Sequence, residues 1–205
     1  MTATGRADTG YSGADALIVV DMQRDFADPA GSLYVDGGEQ TIAPIAAEIA
    51  AAKAAGATVV FTQDWHPEHT PHFAIDGGIW PVHCVMGTPG ADLVPGLLPA
   101  GEQPEHVVRK GSGPEDGYSG FSVLDIPTGE RKGTELQTLL DRDGVRKIVV
   151  VGLAGDWCVK ATAIDGAEIG YQVTVPLALT RFVELEPGDG ERAVAAMREA
   201  GVTLA

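Results

Sequence analysis

The sequence predicts an α/β fold: a three-layer α/β/α sandwich built on a mostly parallel, six-stranded sheet. Three observations carry this. Six short apolar runs rich in β-branched residues recur along the 205 residues, helix-period segments closed by glycine separate most of them, and the 44% hydrophobic content suffices for one sizeable core. The strands begin at Ala16 (ALIVVDM), Thr58 (TVVFTQD), His106 (HVVRKG), Lys147 (KIVVVGL), Gln172 (QVTVPLAL) and Val202 (VTLA). They are continuously apolar rather than alternating, as expected of strands buried on both faces. The intervening helices run from Glu39 to Ala55 with Gly56 as a stop, from Lys132 to Asp143 before Gly144, from Cys158 to Gly170, and from Pro187 to Ala200 before Gly201. Strand–helix alternation implies parallel pairing with helices on both sides. Residues 16–205 read as a single domain, preceded by a polar, glycine-rich tail over residues 1–15.

Charge and composition exclude several classes. The formal charge is −15, and the 14 basic residues are scattered, so no positive stripe exists to track a phosphate backbone; nucleic acid is not an expected partner. No stretch reaches the roughly 18 apolar residues of a membrane span, and the first residues lack a signal peptide's charged end and apolar core. A cytoplasmic protein with no membrane partner is expected, and the pattern leaves a homo-oligomer open. Two distant cysteines, Cys84 and Cys158, form no disulfide framework and read as reduced thiols.

Ligands of open parallel sheets bind beyond the carboxyl ends of the strands. Four reactive side chains fall there: Asp21, Asp64, Lys110 and Cys158. Alone, each aspartate reads as a turn former and the lysine as a solvated charge; together they mark a site. Cys158 opens a helix, whose free N–H groups and dipole are expected to lower its pKa. The small-residue turn Gly152 to Asp156 is suited to directing backbone N–H groups at an oxyanion. The commoner fate of a cysteine, buried packing, fits Cys84 better. Four histidines crowd one loop, which leaves a carboxylate, Asp21, as the base; Lys110 is expected to keep it ionised and to stabilise a thiolate or oxyanion. Asp25 reads as a structural or capping acid.

The proline-rich connection from Trp65 to Glu105 is too long for a plain loop. In extended chain, residues two apart share a side, so Asp64 and His66 can grip one ion with His83 arriving from the loop's far end. Such mixed ligands suit zinc, iron or manganese. A solvated histidine-rich loop without metal is the alternative.

The segments VVDMQRDF, AGSLYV, TQDWHP, WPVHCVMGTPGA, RKG, DGYSGF and VVGLAGDWCV, spread from about Ala16 to Leu204, together resemble the isochorismatase-like cysteine hydrolases of the nicotinamidase/pyrazinamidase type. The resemblance implies a triad of Asp21, Lys110 and Cys158, and one divalent metal per chain, zinc first, on Asp64, His66 and His83. It also implies an oxyanion hole from the N–H groups of Ala154 and Cys158, with a cis peptide between Leu153 and Ala154. Phe26 and Trp80 stand where members sandwich a pyridine ring, with Tyr118 near the same pocket. His72 stands at the spacing of a fourth metal ligand in some members and joins the set ahead of His69. Gly155 replaces the usual threonine, which is expected to loosen the turn, and the Ala74 to Ile79 link is short. The implied activity is hydrolysis of nicotinamide, and of pyrazinamide, through a cysteine thioester in NAD salvage, the ring nitrogen resting on the metal. The rivals are a related hydrolase of carbamoyl or ureido substrates, whose kind generally lacks the metal loop; a non-catalytic metal- or thiol-binding protein, which needs no aligned Asp and Lys; and an isochorismate hydrolase, which does not use the cysteine.

Overall fold

The structure is a computed structural model and describes residues 10–113, 115–125 and 128–205. In chain order the elements are β1 (Asp15–Val20), the short helix α1 (Arg24–Ala27), α2 (Ile42–Ala54), β2 (Thr58–Asp64), β3 (His106–Lys110), β4 (Glu115–Asp116), β5 (Ser122–Asp125), β6 (Glu130–Gly133), α3 (Leu136–Arg142), β7 (Lys147–Leu153), α4 (Cys158–Ile169), β8 (Gln172–Val175), β9 (Thr180–Arg181), α5 (Asp189–Glu199) and β10 (Thr203–Leu204). The main sheet runs β10-β8-β7-β1-β2-β3, with the two-residue β9 added to the end of β7, and every pair in it is parallel. All six expected strands are in it; β9 makes a seventh.

The continuous apolar runs divide their side chains between the two faces. Leu17 and Val19 pack with Val59, Phe61, Ile45 and Ile49 beneath α2. Ala16, Ile18 and Val20 pack on the other face with Leu136 of α3, Val159 and Ala163 of α4, and Met197 of α5. Before β1 the chain is held by a 2.8 Å hydrogen bond from the Tyr11 hydroxyl to Glu48 and by Ser12, whose N–H reaches the Asp15 carboxylate at 2.6 Å.

Helix starts differ from expectation, for local reasons. Lys132 does not open a helix: it lies in β6 of a separate antiparallel sheet, β4-β5-β6, and pairs with Asp125 across the hairpin at 2.9 Å. The helix starts at Leu136, where the Thr134 hydroxyl accepts the Leu136 N–H at 3.1 Å. A 3₁₀ turn, Gly38–Thr41, precedes α2. The left-handed Gly188 delays α5 to Asp189, whose carboxylate accepts the Glu186 N–H at 2.8 Å.

Candidate functional site

Four neighbouring strands, in the order β7-β1-β2-β3, deliver the site. Register does much of the alignment, because Asp64 and Lys110, the last residues of β2 and β3, are direct Cα partners. Asp21 follows β1 in a left-handed conformation (φ 45°), where Asp is tolerated better than most side chains, and its carboxylate accepts the Thr62 hydroxyl at 2.6 Å. Cys158 is the first residue of α4, reached from β7 through the small-residue turn.

Lys110 ties these groups together. Its ammonium is 2.8 Å from Asp21 Oδ2 and 3.6 Å from Cys158 Sγ, and it also bonds Asp64 Oδ1. Carboxylate and thiol atoms of Asp21, Asp64 and Cys158 all lie within 4.8 Å of one another. The lysine is 1% exposed and Asp21 fully buried. Burial works against the lysine's charge, but the two aspartates outweigh it and hold Lys110 well above its ordinary pKa. Burial likewise opposes the charge of Asp64, yet Lys110 and the neighbouring imidazoles bring its carboxyl well below the usual range.

One electrostatic expectation, the pull of Lys110 on Asp21, is met but outweighed, and the other, a lowered thiol pKa, is reversed. Burial is the largest influence on Asp21, and with the charge of Asp64 it raises that carboxyl despite the opposing pull of Lys110 and Thr62. Burial also pushes the Cys158 thiol well up; Lys110 pulls it down, but the flanking carboxylates reinforce burial. Burial and the flanking carboxylates thus favour the protonated thiol, beside a carboxylate made more basic than usual.

The oxyanion turn is tighter than its glycine suggested. Leu153–Ala154 is cis, as the resemblance implied. Gly155 does not loosen the turn, because the Phe182 ring fills the space its side chain would need: a Cβ there would stand 2.6 Å from Phe182 Cε1. The Gly155 N–H donates to Arg181 O at 2.7 Å, and the buried Asp156 carboxylate accepts the N–H groups of Val183 and Glu184 at 2.9 Å each.

Beside the triad, one nitrogen each from His66, His72 and His83 lie within 4.8 Å of one another. Nδ1 of His66 lies 3.1 Å from Gly111 O and Nδ1 of His83 lies 2.7 Å from Pro81 O, contacts in which Nδ1 donates, so each ring turns its Nε2 toward the Asp64 side. Both Nε2 atoms stand 3.8 Å from Asp64 Oδ2, and that of His66 is buried with no hydrogen-bond partner among the described residues. Buried polar atoms are seldom left so. An orphaned imidazole nitrogen aimed among two other imidazoles and a carboxylate fits a divalent cation. His72 joins because the loop folds back, with Phe73 pairing Trp80 and the Ala74 N–H donating to Trp80 O at 2.7 Å. His69 points away: its side chain is 75% exposed and meets Asp76 at 3.1 Å.

Phe26, Trp80, Tyr118, Ala154 and Cys158 line a small pocket that opens on His72 and His83. Trp80 Nε1 donates to the Tyr118 hydroxyl at 3.1 Å. Three contributors escaped the sequence reading. Trp157 packs its ring 4.9 Å from those of both Trp80 and Tyr118. Thr62 orients Asp21, and Gln23 clamps the Asp64 backbone, donating to its carbonyl at 2.7 Å and accepting its N–H at 2.8 Å. A buried Gln between two aspartates in DMQRD was the only available signal for the last.

The Isochorismatase domain family model matches residues 15–204. The chain is 34% identical over 205 residues to a nicotinamidase of Escherichia coli (strain K12), covering 92% of this chain and 93% of that one. Among solved structures it is similar to a pyrazinamidase of Pyrococcus horikoshii in complex with zinc, at TM-score 0.80 and 36% identity over 94% of this chain and 98% of that one. It is also similar to PnC1 from L. infantum in complex with nicotinate, at TM-score 0.82 and 37% identity over 95% and 93%.

Proposed function

This chain belongs to the isochorismatase family, and from that premise we infer that it is a metal-dependent amidohydrolase converting nicotinamide to nicotinate and ammonia. One observation carries the reading: an acid, a lysine and a thiol lie in mutual reach, three imidazoles converge beside them, and the thiol shares a small, largely apolar pocket with two of those imidazoles, His72 and His83. A carbamoyl or ureido hydrolase gives that imidazole cluster no task. A thiol sensor gives none to Asp21 and Lys110.

In the mechanism we propose, Asp21 takes the Cys158 proton as Sγ attacks the carboxamide carbon. The raised affinity of Asp21 for protons suits it to this step, because the thiol is not ionised beforehand. The oxyanion is met by the N–H groups of Ala154 and Cys158, with Lys110 as the nearby fixed positive charge. Asp21 then passes its proton to the departing ammonia, leaving a thioester. Water, deprotonated by Asp21, attacks the thioester carbon; nicotinate leaves and the thiol regains its proton. Asp64, His66, His72 and His83 would hold the divalent cation, for which zinc is our assignment. When bound it supplies a Lewis-acidic seat for the ring nitrogen. Phe26 and Trp80 enclose the ring, and Tyr118 and Trp157 brace Trp80.

An ammonia-release assay across nicotinamide, pyrazinamide, benzamide and a ureido amide tests this. Nicotinamide and pyrazinamide should be turned over, while benzamide, lacking the ring nitrogen, should lose at least about 100-fold in kcat/KM. Faster hydrolysis of the ureido amide would replace the reading with its rival. Chelation should stop nicotinamide turnover while Cys158 still reacts with iodoacetamide.

His72 has its own test. His72→Ala should weaken zinc binding about 10-fold to 100-fold, as measured against a competing chromophoric chelator. Unchanged zinc affinity with a raised KM would make His72 a pocket wall and leave Asp64, His66 and His83 as the set.

A further inference from the structure

The Asp25 carboxylate takes no part in the chemistry above, yet separate segments of the chain converge on it. One oxygen, Oδ2, accepts the backbone N–H of Cys84, the residue after His83, at 2.7 Å. The other accepts the Ser32 N–H at 3.3 Å, and the Asp25 carbonyl accepts the Leu33 N–H at 3.1 Å. These partners lie outside α1, so the carboxylate acts between segments rather than as a cap of its own helix. The third segment makes room for it: a Cβ at Gly90 would stand 2.2 Å from Asp25 Oδ2.

What these bonds fix lies at the site. Cys84 is left-handed (φ 45°), a conformation that costs a non-glycine residue energy and persists only where its surroundings hold it. The Asp25 bond to its N–H is such a hold, one residue from the His83 ring. The next residue on α1 is Phe26, whose ring centroid is 5.3 Å from that of His83, and both rings line the pocket.

We propose that Asp25 is a positioning residue that locks the His83 imidazole against the Phe26 wall, so that a metal ligand and the substrate's enclosure keep one separation. This rests on the metal reading of the histidine cluster. The test is zinc affinity, read by competition with a chromophoric chelator, for the parent, Asp25→Ala, Asp25→Asn, Gly90→Ala and the Asp25→Ala/Gly90→Ala pair. Asp25→Ala removes the acceptor and Gly90→Ala displaces it, so each should weaken zinc binding about 10-fold to 100-fold, as loss of a ligand-orienting partner does. The pair should lose no more than the weaker single variant, since both act through one carboxylate. Asp25→Asn retains an acceptor for the Cys84 N–H and should recover most of the affinity. Parent-like zinc affinity in a folded Asp25→Ala, or fully additive losses in the pair, would overturn the proposal. If Asp25→Ala yields no folded protein, parent-like affinity in Gly90→Ala overturns it instead. A parent that binds no zinc would sink the metal reading and this inference with it, whereas a parent that binds and variants that bind equally sink this inference alone.

Discussion

Cys158→Ala should abolish ammonia release from nicotinamide, a fall of about 10⁴-fold or more in kcat, with little change in thermal stability. Of Cys158, Lys110 and Asp21, the thiol is the group left to form a covalent bond to the carboxamide carbon: Lys110 is kept protonated between two carboxylates, and Asp21 serves as the base. Removing Sγ leaves the pocket, the histidine cluster and both ion pairs in place. Nicotinamide binding should survive, and the variant should bind it in calorimetry with near-parent affinity. Cys84→Ala is the control, for the second cysteine is fully buried in the core, where burial pushes its thiol well up. Turnover by Cys158→Ala within tenfold of the parent would end the covalent mechanism and leave a directly attacking water as the alternative.

The sheet was legible because strands buried on both faces announce themselves as unbroken apolar runs, and the reactive residues because they close those runs. Asp64 and Lys110 are adjacent in space simply because parallel register aligns the last residues of β2 and β3. The hairpin around Lys132 was not legible: its four residues are exposed, so no alternation marks a strand, and Lys132 is held by Asp125 through a pairing that one chain segment cannot reveal. The state of the thiol was misjudged for a similar reason. A helix N-terminus can be read from a sequence, but its desolvation depends on packing with residues remote in the chain, Cys158 being buried in one cluster with Ile18, Val60 and Phe121. Gly155 looked like a weakness until Phe182, remote in sequence, was seen to occupy its side-chain space. Choosing between His69 and His72 required the fold-back that pairs Phe73 with Trp80; spacing alone allowed both.

Lys110→Met should be the most damaging of these changes for stability and nearly as damaging as Cys158→Ala for activity. The methionine approximates the lysine's length and apolar stem, so the variant tests the charge rather than the packing. Two buried carboxylates, Asp21 and Asp64, lie within 4.8 Å of each other, and Lys110 reaches both. Without the ammonium, two like charges face each other with their desolvation uncompensated. Breaking a buried pair by deleting one partner typically costs about 3–5 kcal/mol, which for a chain of this size lowers Tm by roughly 6–20 °C. Asp21 would then relieve the repulsion by holding a proton, and a protonated carboxyl cannot accept one from Cys158, so the loss in kcat should approach that of Cys158→Ala. Lys110→Arg keeps the charge, but its planar fork cannot replace a point donor among three closely spaced acceptors; it should recover part of the stability and little of the rate. A Lys110→Met protein that melts within 2 °C of the parent, in scans run on both proteins stripped of metal, would show that the paired aspartates do not need the lysine, and the account of the site as a lysine-centred charge cluster would fall.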